Sequence, residues 1–109
     1  MALEKMINIS KDFSRFPAGR FVSDGDYSGE KFRAEFLVAN LATTDRLIVD
    51  LDGTAGYGSS FLEEAFGGLV RKHGFSVQDI HKRLSIISLD KSLVDEVWEY
   101  IDAAKPDKG

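Results

Sequence analysis

Apolar residues recur along this chain with two periods, and each switch of period marks an element. Leu3, Lys5, Ile7 and Ile9 alternate with Glu4, Met6 and Asn8, a loose period of two that predicts an edge strand over residues 3–9. Pro17, Gly19, Gly25 and Gly29 then punctuate FSRFPAGRFVSDGDYSG and leave room only for a short extended piece around Arg20 to Ser23. From Ser28 the spacing becomes helical. Phe32, Phe36, Leu37 and Leu41 share one face, Ser28 is placed to cap, and Glu30 suits the positive helix end.

The run RLIVDLD at residues 46–52 is apolar, β-branched and short, which predicts a central strand followed by a loop over residues 53–58. Phe61, Leu62, Ala65, Phe66, Leu69 and Val70 form the stripe of a second helix reaching about His73, with Gly74 as its stop. His73 is placed to meet free carbonyls there as a donor. A short helical turn is expected over residues 77–82, a buried strand over residues 84–89, and a last helix on Leu93, Val94, Val97, Trp98 and Ile101. Alternating strands and helices predict an α/β fold: a small mixed, mostly parallel sheet of about four strands, covered by three main helices. Residues 1–104 are expected to form a single domain and residues 105–109 a polar tail.

Composition narrows the partners. Fourteen Lys and Arg against 18 Asp and Glu give a net charge of -4, which repels nucleic acid and anionic membranes. Without cysteine the chain forms neither disulfides nor thiolate metal sites. MALEKMINIS lacks a signal-peptide core, and no segment approaches the roughly 20 apolar residues of a membrane span, so a cytoplasmic protein is expected. Asp24-Gly25-Asp26 has the composition of a turn rather than a metal site. No metal and no cofactor are implied.

The candidate chemistry lies where the central strand enters the second helix, because free N–H groups and the helix dipole converge on such loops. Gly56, Tyr57, Gly58, Ser59 and Ser60 occupy that position. The loop has neither the lysine of a phosphate-binding loop nor the third glycine of a dinucleotide loop. Ser60-Phe61-Leu62-Glu63 matches a capping box, with the Ser60 hydroxyl accepting from the Glu63 N–H and the Glu63 carboxylate reaching back. On that basis Ser60→Ala costs on the order of 1 kcal/mol. The Gly67-Gly68 pair in the same helix costs about 1 kcal/mol per glycine relative to alanine, and close helix packing is the expected offset. Glu63, Glu64, Arg71 and Lys72 are expected on or near the exposed side.

Two resemblances follow. Asp50-Leu51-Asp52-Gly53-Thr54 is similar to the first motif of haloacid-dehalogenase-like phosphatases, which implies a Mg²⁺ site with Asp50 as nucleophile and Asp52 as acid. The family's later acidic motif and strand-end lysine are missing, so this reading ranks second.

IVDLDGTAGYGSSFLEEAFGGLVR, with GRFVSDGDYSGEKFR upstream, resembles the STAS-like domain family of unknown function over nearly the whole chain. Members of that family resemble the STAS domains of bacterial anti-anti-sigma factors, and some are associated with histidine-kinase-like ATPase domains. The resemblance implies a small sheet with helices on one main side. It also implies a non-enzymatic signalling module that acts by protein–protein contact through the loop and helix between Gly53 and Lys72. In anti-anti-sigma factors the second serine of an Asp-Ser-Ser-Gly loop is phosphorylated by the partner kinase. That serine corresponds to Ser60 and the first to Ser59, whereas Gly58 replaces the aspartate and Phe61 the glycine. The implied contact residues are Gly56, Tyr57, Gly58, Ser59, Ser60, Phe61 and Glu64.

Overall fold

In the computed structural model, which describes residues 3–107, one parallel sheet has the strand order β1-β2-β3. The strands are β1 (Glu4–Asn8), β2 (Arg46–Asp50) and β3 (Leu84–Ile87). β2 is central, and its alternate residues Leu47 and Val49, with Leu51 just beyond, are fully buried. β1 is an edge, as its mixed composition predicts, with Glu4, Lys5 and Met6 exposed.

Among the described residues there are three strands, not about four, and all pairings are parallel. The segment around Arg20 to Ser23 does not extend into a strand. The Asp24 carboxylate accepts from the N–H groups of Arg20 (3.2 Å) and Phe21 (2.9 Å), taking donors a ladder would need and winding Val22–Asp24 into a 3₁₀ turn. Asp24-Gly25-Asp26 therefore belongs to a turn.

The first helix, α1, covers residues 29–41 and is capped by Ser28, whose hydroxyl accepts from the Lys31 N–H at 3.2 Å. The second, α2, covers residues 59–73 and stops at Gly74, whose φ of 72° is the left-handed value expected of a glycine stop. Each helix has a widened π-helical middle, Arg33–Val38 in α1 and Glu63–Gly67 in α2. A short α3 (Val77–Arg83) leads into β3, and α4 (Lys91–Ala103) follows with Asp90 as its cap. Residues 105–107 of the polar tail return to α2: the Asp107 N–H donates to the Arg71 carbonyl at 3.1 Å, and Lys72 pairs with Asp107 at 2.6 Å. Among the described residues no helix is long and apolar enough to cross a membrane.

The core lies on one side of the sheet. Ile7, Leu47, Val49, Leu84 and Ile86 point into a single apolar cluster with Phe32, Leu37, Phe61, Phe66, Leu69, Val97 and Ile101 from the helices. Side chains alternate across a sheet, so Met6, Ile48 and Ser85, which share one register row, face the other way. Met6 is 56% exposed, and neither it nor Ile48 belongs to the core cluster.

Candidate functional site

The loop after β2 is held from below by its own strand end. Asp50 Oδ1 accepts from the Asp52 N–H at 2.9 Å, and the Asp52 carboxylate accepts from Ser88 Oγ at 2.7 Å and from the Leu89 N–H. Asn8 donates to the Asp52 carbonyl at 3.0 Å, and the Tyr57 hydroxyl to the Leu51 carbonyl at 2.6 Å. Burial pushes the Tyr57 hydroxyl up to about 12, with the charges of Asp50 and Asp52 adding to the effect. β2 ends at Asp50, so the strand alternation that would aim both aspartates at one metal does not extend to Asp52. Asp52 instead ties β2 to the end of β3. Among the described residues no group of three or more His, Cys, Asp or Glu side chains is placed to hold a metal ion.

The serine pair corrects the capping box. α2 begins at Ser59, its cap position falls on Gly58 in an extended conformation, and no side chain caps it. Ser59 and Ser60 are thus the first two helical residues, both exposed. The Glu63 carboxylate cannot reach back to them because Arg71 Nη1 and Arg20 Nη1 each hold it at 2.5 Å. Both hydroxyls project from the positive end of the helix without a capping task.

Phe61 and Glu64 are not surface residues. Phe61 is fully buried against Phe13, Phe32 and Tyr57, and Glu64 is 3% exposed. Glu64 is compensated by Arg33, itself 5% exposed, whose Nη1 donates to Glu64 Oε2 at 2.6 Å and to the Glu64 carbonyl at 2.5 Å. Arg20 and Arg71 close the cluster from the solvent side, at 3.1 and 3.5 Å from Glu64 Oε1. The glycine pair makes room for this arrangement. A Cβ on Gly68 would strike the Arg33 guanidinium, and one on Gly67 would lie 3.4 Å from the Tyr100 carbonyl on α4. Of the residues expected to form a contact surface between Gly53 and Lys72, Phe61 and Glu64 are thus inside the protein, while the loop, Ser59, Ser60 and, at the far end of the helix, Lys72 are exposed. The sequence carried two signals for this burial: Arg33 stands four residues before Leu37 on an apolar face, and two adjacent glycines interrupt a helix.

His73 also differs from expectation, because it accepts rather than donates. Arg33 Nε donates to His73 Nε2 at 3.2 Å, which requires an unprotonated ring nitrogen. Burial and the Arg33 charge hold its pKa below the usual imidazole range. An unfolded chain, with an imidazole near 6.5, binds the proton first, so stability falls as pH drops below about 6.5 and levels off below the lowered native value. Burial alone would raise the Glu63 carboxyl, but Arg71 and Arg20 outweigh it and hold it below its usual 4.5, adding a second loss under that pH. Urea midpoints between pH 7 and pH 4 should show both steps, and His73→Gln should remove the upper one. His81 lies elsewhere, stacked on Trp98 with ring centres 4.4 Å apart and bonded to Asp102 at 2.6 Å.

A second segment borders the loop. The Ala55 N–H donates to the Arg15 carbonyl at 2.8 Å, which sets the segment after Arg15 beside the loop's outer edge. Phe16, the next residue, is 68% exposed there, whereas Phe21 (44%) and Val22 (59%) are exposed further along, where the Val22 N–H donates to Glu30 on α1. Composition reads this stretch only as irregular.

Residues 28–93 match the family described as a STAS-like domain of unknown function (DUF4325), and the chain belongs to that family. The match starts at the Ser28 cap and ends in the first turn of α4, so β1 and the Phe16–Val22 segment lie outside it. It is shorter than the nearly full-length likeness read from the sequence. Among curated proteins and among solved structures, nothing matches the chain.

Proposed function

We propose that this STAS-like domain is a regulatory module that acts by protein–protein contact and carries out no catalysis of its own. Its contact surface is the loop from Gly53 to Ser60 with the adjoining Phe16. The observation that carries the reading is the exposed Ser59-Ser60 pair, whose hydroxyls stand at a helix start without a capping role. A phosphate there gains from the helix dipole and from free N–H groups, so the fold tolerates modification while the contact surface changes charge. The partner class is a histidine-kinase-like ATPase, following the family's likeness to anti-anti-sigma factors. A Mg²⁺-dependent phosphatase on Asp50 and Asp52 has no comparable support, since Asp52 is committed to Ser88 and Leu89.

The serine variants test this reading. With no capping bond to lose, Ser60→Ala should change stability by less than about 0.5 kcal/mol, and Ser60→Asp should add a few tenths through the dipole. Both should melt like the parent protein. Partner binding should survive Ser60→Ala and be lost in Ser60→Asp and in Phe16→Asp, measured by calorimetry with the cognate ATPase. Equal binding by all four proteins would remove the switch and the surface together.

A further inference from the structure

We propose that the open face of the sheet docks a second copy of this chain, the two sheets packing face to face with antiparallel strands. Parallel sheets are found almost only with both faces covered. Here the helices cover one face, while the other presents Met6, Ile48 and Ile87, with Met6 56% and Ile87 41% exposed. None of these three belongs to the core cluster.

The charges on this face select the occupant. Arg46 stands at the amino end of β2 and Asp50 at its carboxyl end, with Ile48 between them on the same face, and Glu4 of β1 shares that face beside Arg46. Arg46 leans across that face, its Nη1 donating to Ser85 Oγ on β3 at 3.1 Å. A two-fold axis crossing the strands at Ile48 sets Arg46 of each copy opposite Asp50 of the other, and Glu4 over Asn8 of the other copy. It also brings Met6 and Ile48 against their own counterparts, as a self-complementary dimer requires. A two-fold axis along the strands would instead oppose Arg46 to Arg46. Packed sheets lie about 10 Å apart, a gap an arginine spans readily.

Two strands of five residues and one of four make a strip of at most about 14 by 17 Å. That is well below the roughly 800 Å² per partner of a standard interface, so the dimer is weak and concentration-dependent. This inference does not rest on the serine switch, because its residues lie on the strands.

Sedimentation velocity from about 10 µM to about 1 mM tests the proposal, a range that spans weak association. The parent chain should move from monomer toward dimer. Arg46→Asp and Asp50→Arg should each weaken association at least about tenfold, and their equimolar mixture should regain it, because each mutant then meets its opposite. Asp50→Asn keeps the acceptor for the Asp52 N–H while removing the charge, so it should weaken association without disturbing the loop. Ile48→Lys should give a monomer with an unchanged melting temperature. A parent chain that stays monomeric throughout overturns the proposal, whether the face remains bare or binds a different protein. So does a mixture of the two charge variants that associates no better than either alone. Recovery on mixing Arg46→Asp with the parent would place Arg46 opposite Arg46 and overturn the antiparallel arrangement.

Discussion

Arg33→Ala should destabilise the protein by about 3 kcal/mol, the low end for breaking a buried ion pair, because it strips the donor from Glu64 Oε2 and leaves only Arg20 and Arg71, on the solvent side, to hold Oε1. The pair is buried on both sides, with Arg33 5% and Glu64 3% exposed, so water cannot replace the lost guanidinium. Against a total stability of some 5–15 kcal/mol, a loss of that size unfolds much of the population under mild denaturant. Replacing both members, Arg33→Met with Glu64→Leu, should recover most of it, since no charge is then stranded. Gly68 gives a sharper check. Gly68→Ala drives its methyl into the Arg33 guanidinium and should destabilise the parent chain, although Arg33 is long, because two bonds to Glu64 fix its tip. In the Arg33→Ala background the three atoms nearest the added methyl, all from Arg33, are gone, and the same change should stabilise by about 1 kcal/mol through helix propensity. Urea denaturation of the four proteins in the cycle measures that reversal of sign.

Gly29→Ala should cost about 1–3 kcal/mol by overpacking, even though alanine is the better helix former. A Cβ on Gly29 would lie 2.5 Å from the Phe61 carbonyl oxygen and 3.1 Å from the Ala65 nitrogen. Both are backbone atoms, so no side chain can swing aside and α1 must back away from α2. Gly58→Ala is the control: nothing lies within 4 Å of the added methyl, and the backbone there is already extended at φ -77°. Its melting curve should shift down less than that of Gly29→Ala, since it loses only the advantage of glycine over alanine at a cap position.

The elements with strong periodicity were legible in the sequence. Leu47, Val49 and Leu51 read as a central strand and lie at the centre, and Ser28 and Gly74 bound their helices as the cap rules expect. What failed depended on contacts distant in sequence. Glu64 reads as a solvent-facing charge because the arginine that permits its burial is 31 residues away, on another helix. Glu63 reads as the far half of a capping box, but arginines from two different segments compete for it and win. Arg20 to Ser23 reads as extended because the Asp24 carboxylate that coils it is an ordinary turn residue. The aspartate pair at 50 and 52 has the spacing of a metal site, but the strand ends between them. The serine pair was placed correctly at the start of the second helix, but its hydroxyls do not cap it.

β1 lies outside the segment matched to the family, yet it shields one whole side of β2. A fragment trimmed to residues 28–93 would lose Ile7 and Ile9 from the core and bare the backbone of RLIVD along its full length. An unpaired apolar strand of that kind templates further strands. Such a fragment should therefore form aggregates rich in intermolecular β-structure on expression, so boundaries for recombinant work should start upstream of Glu4.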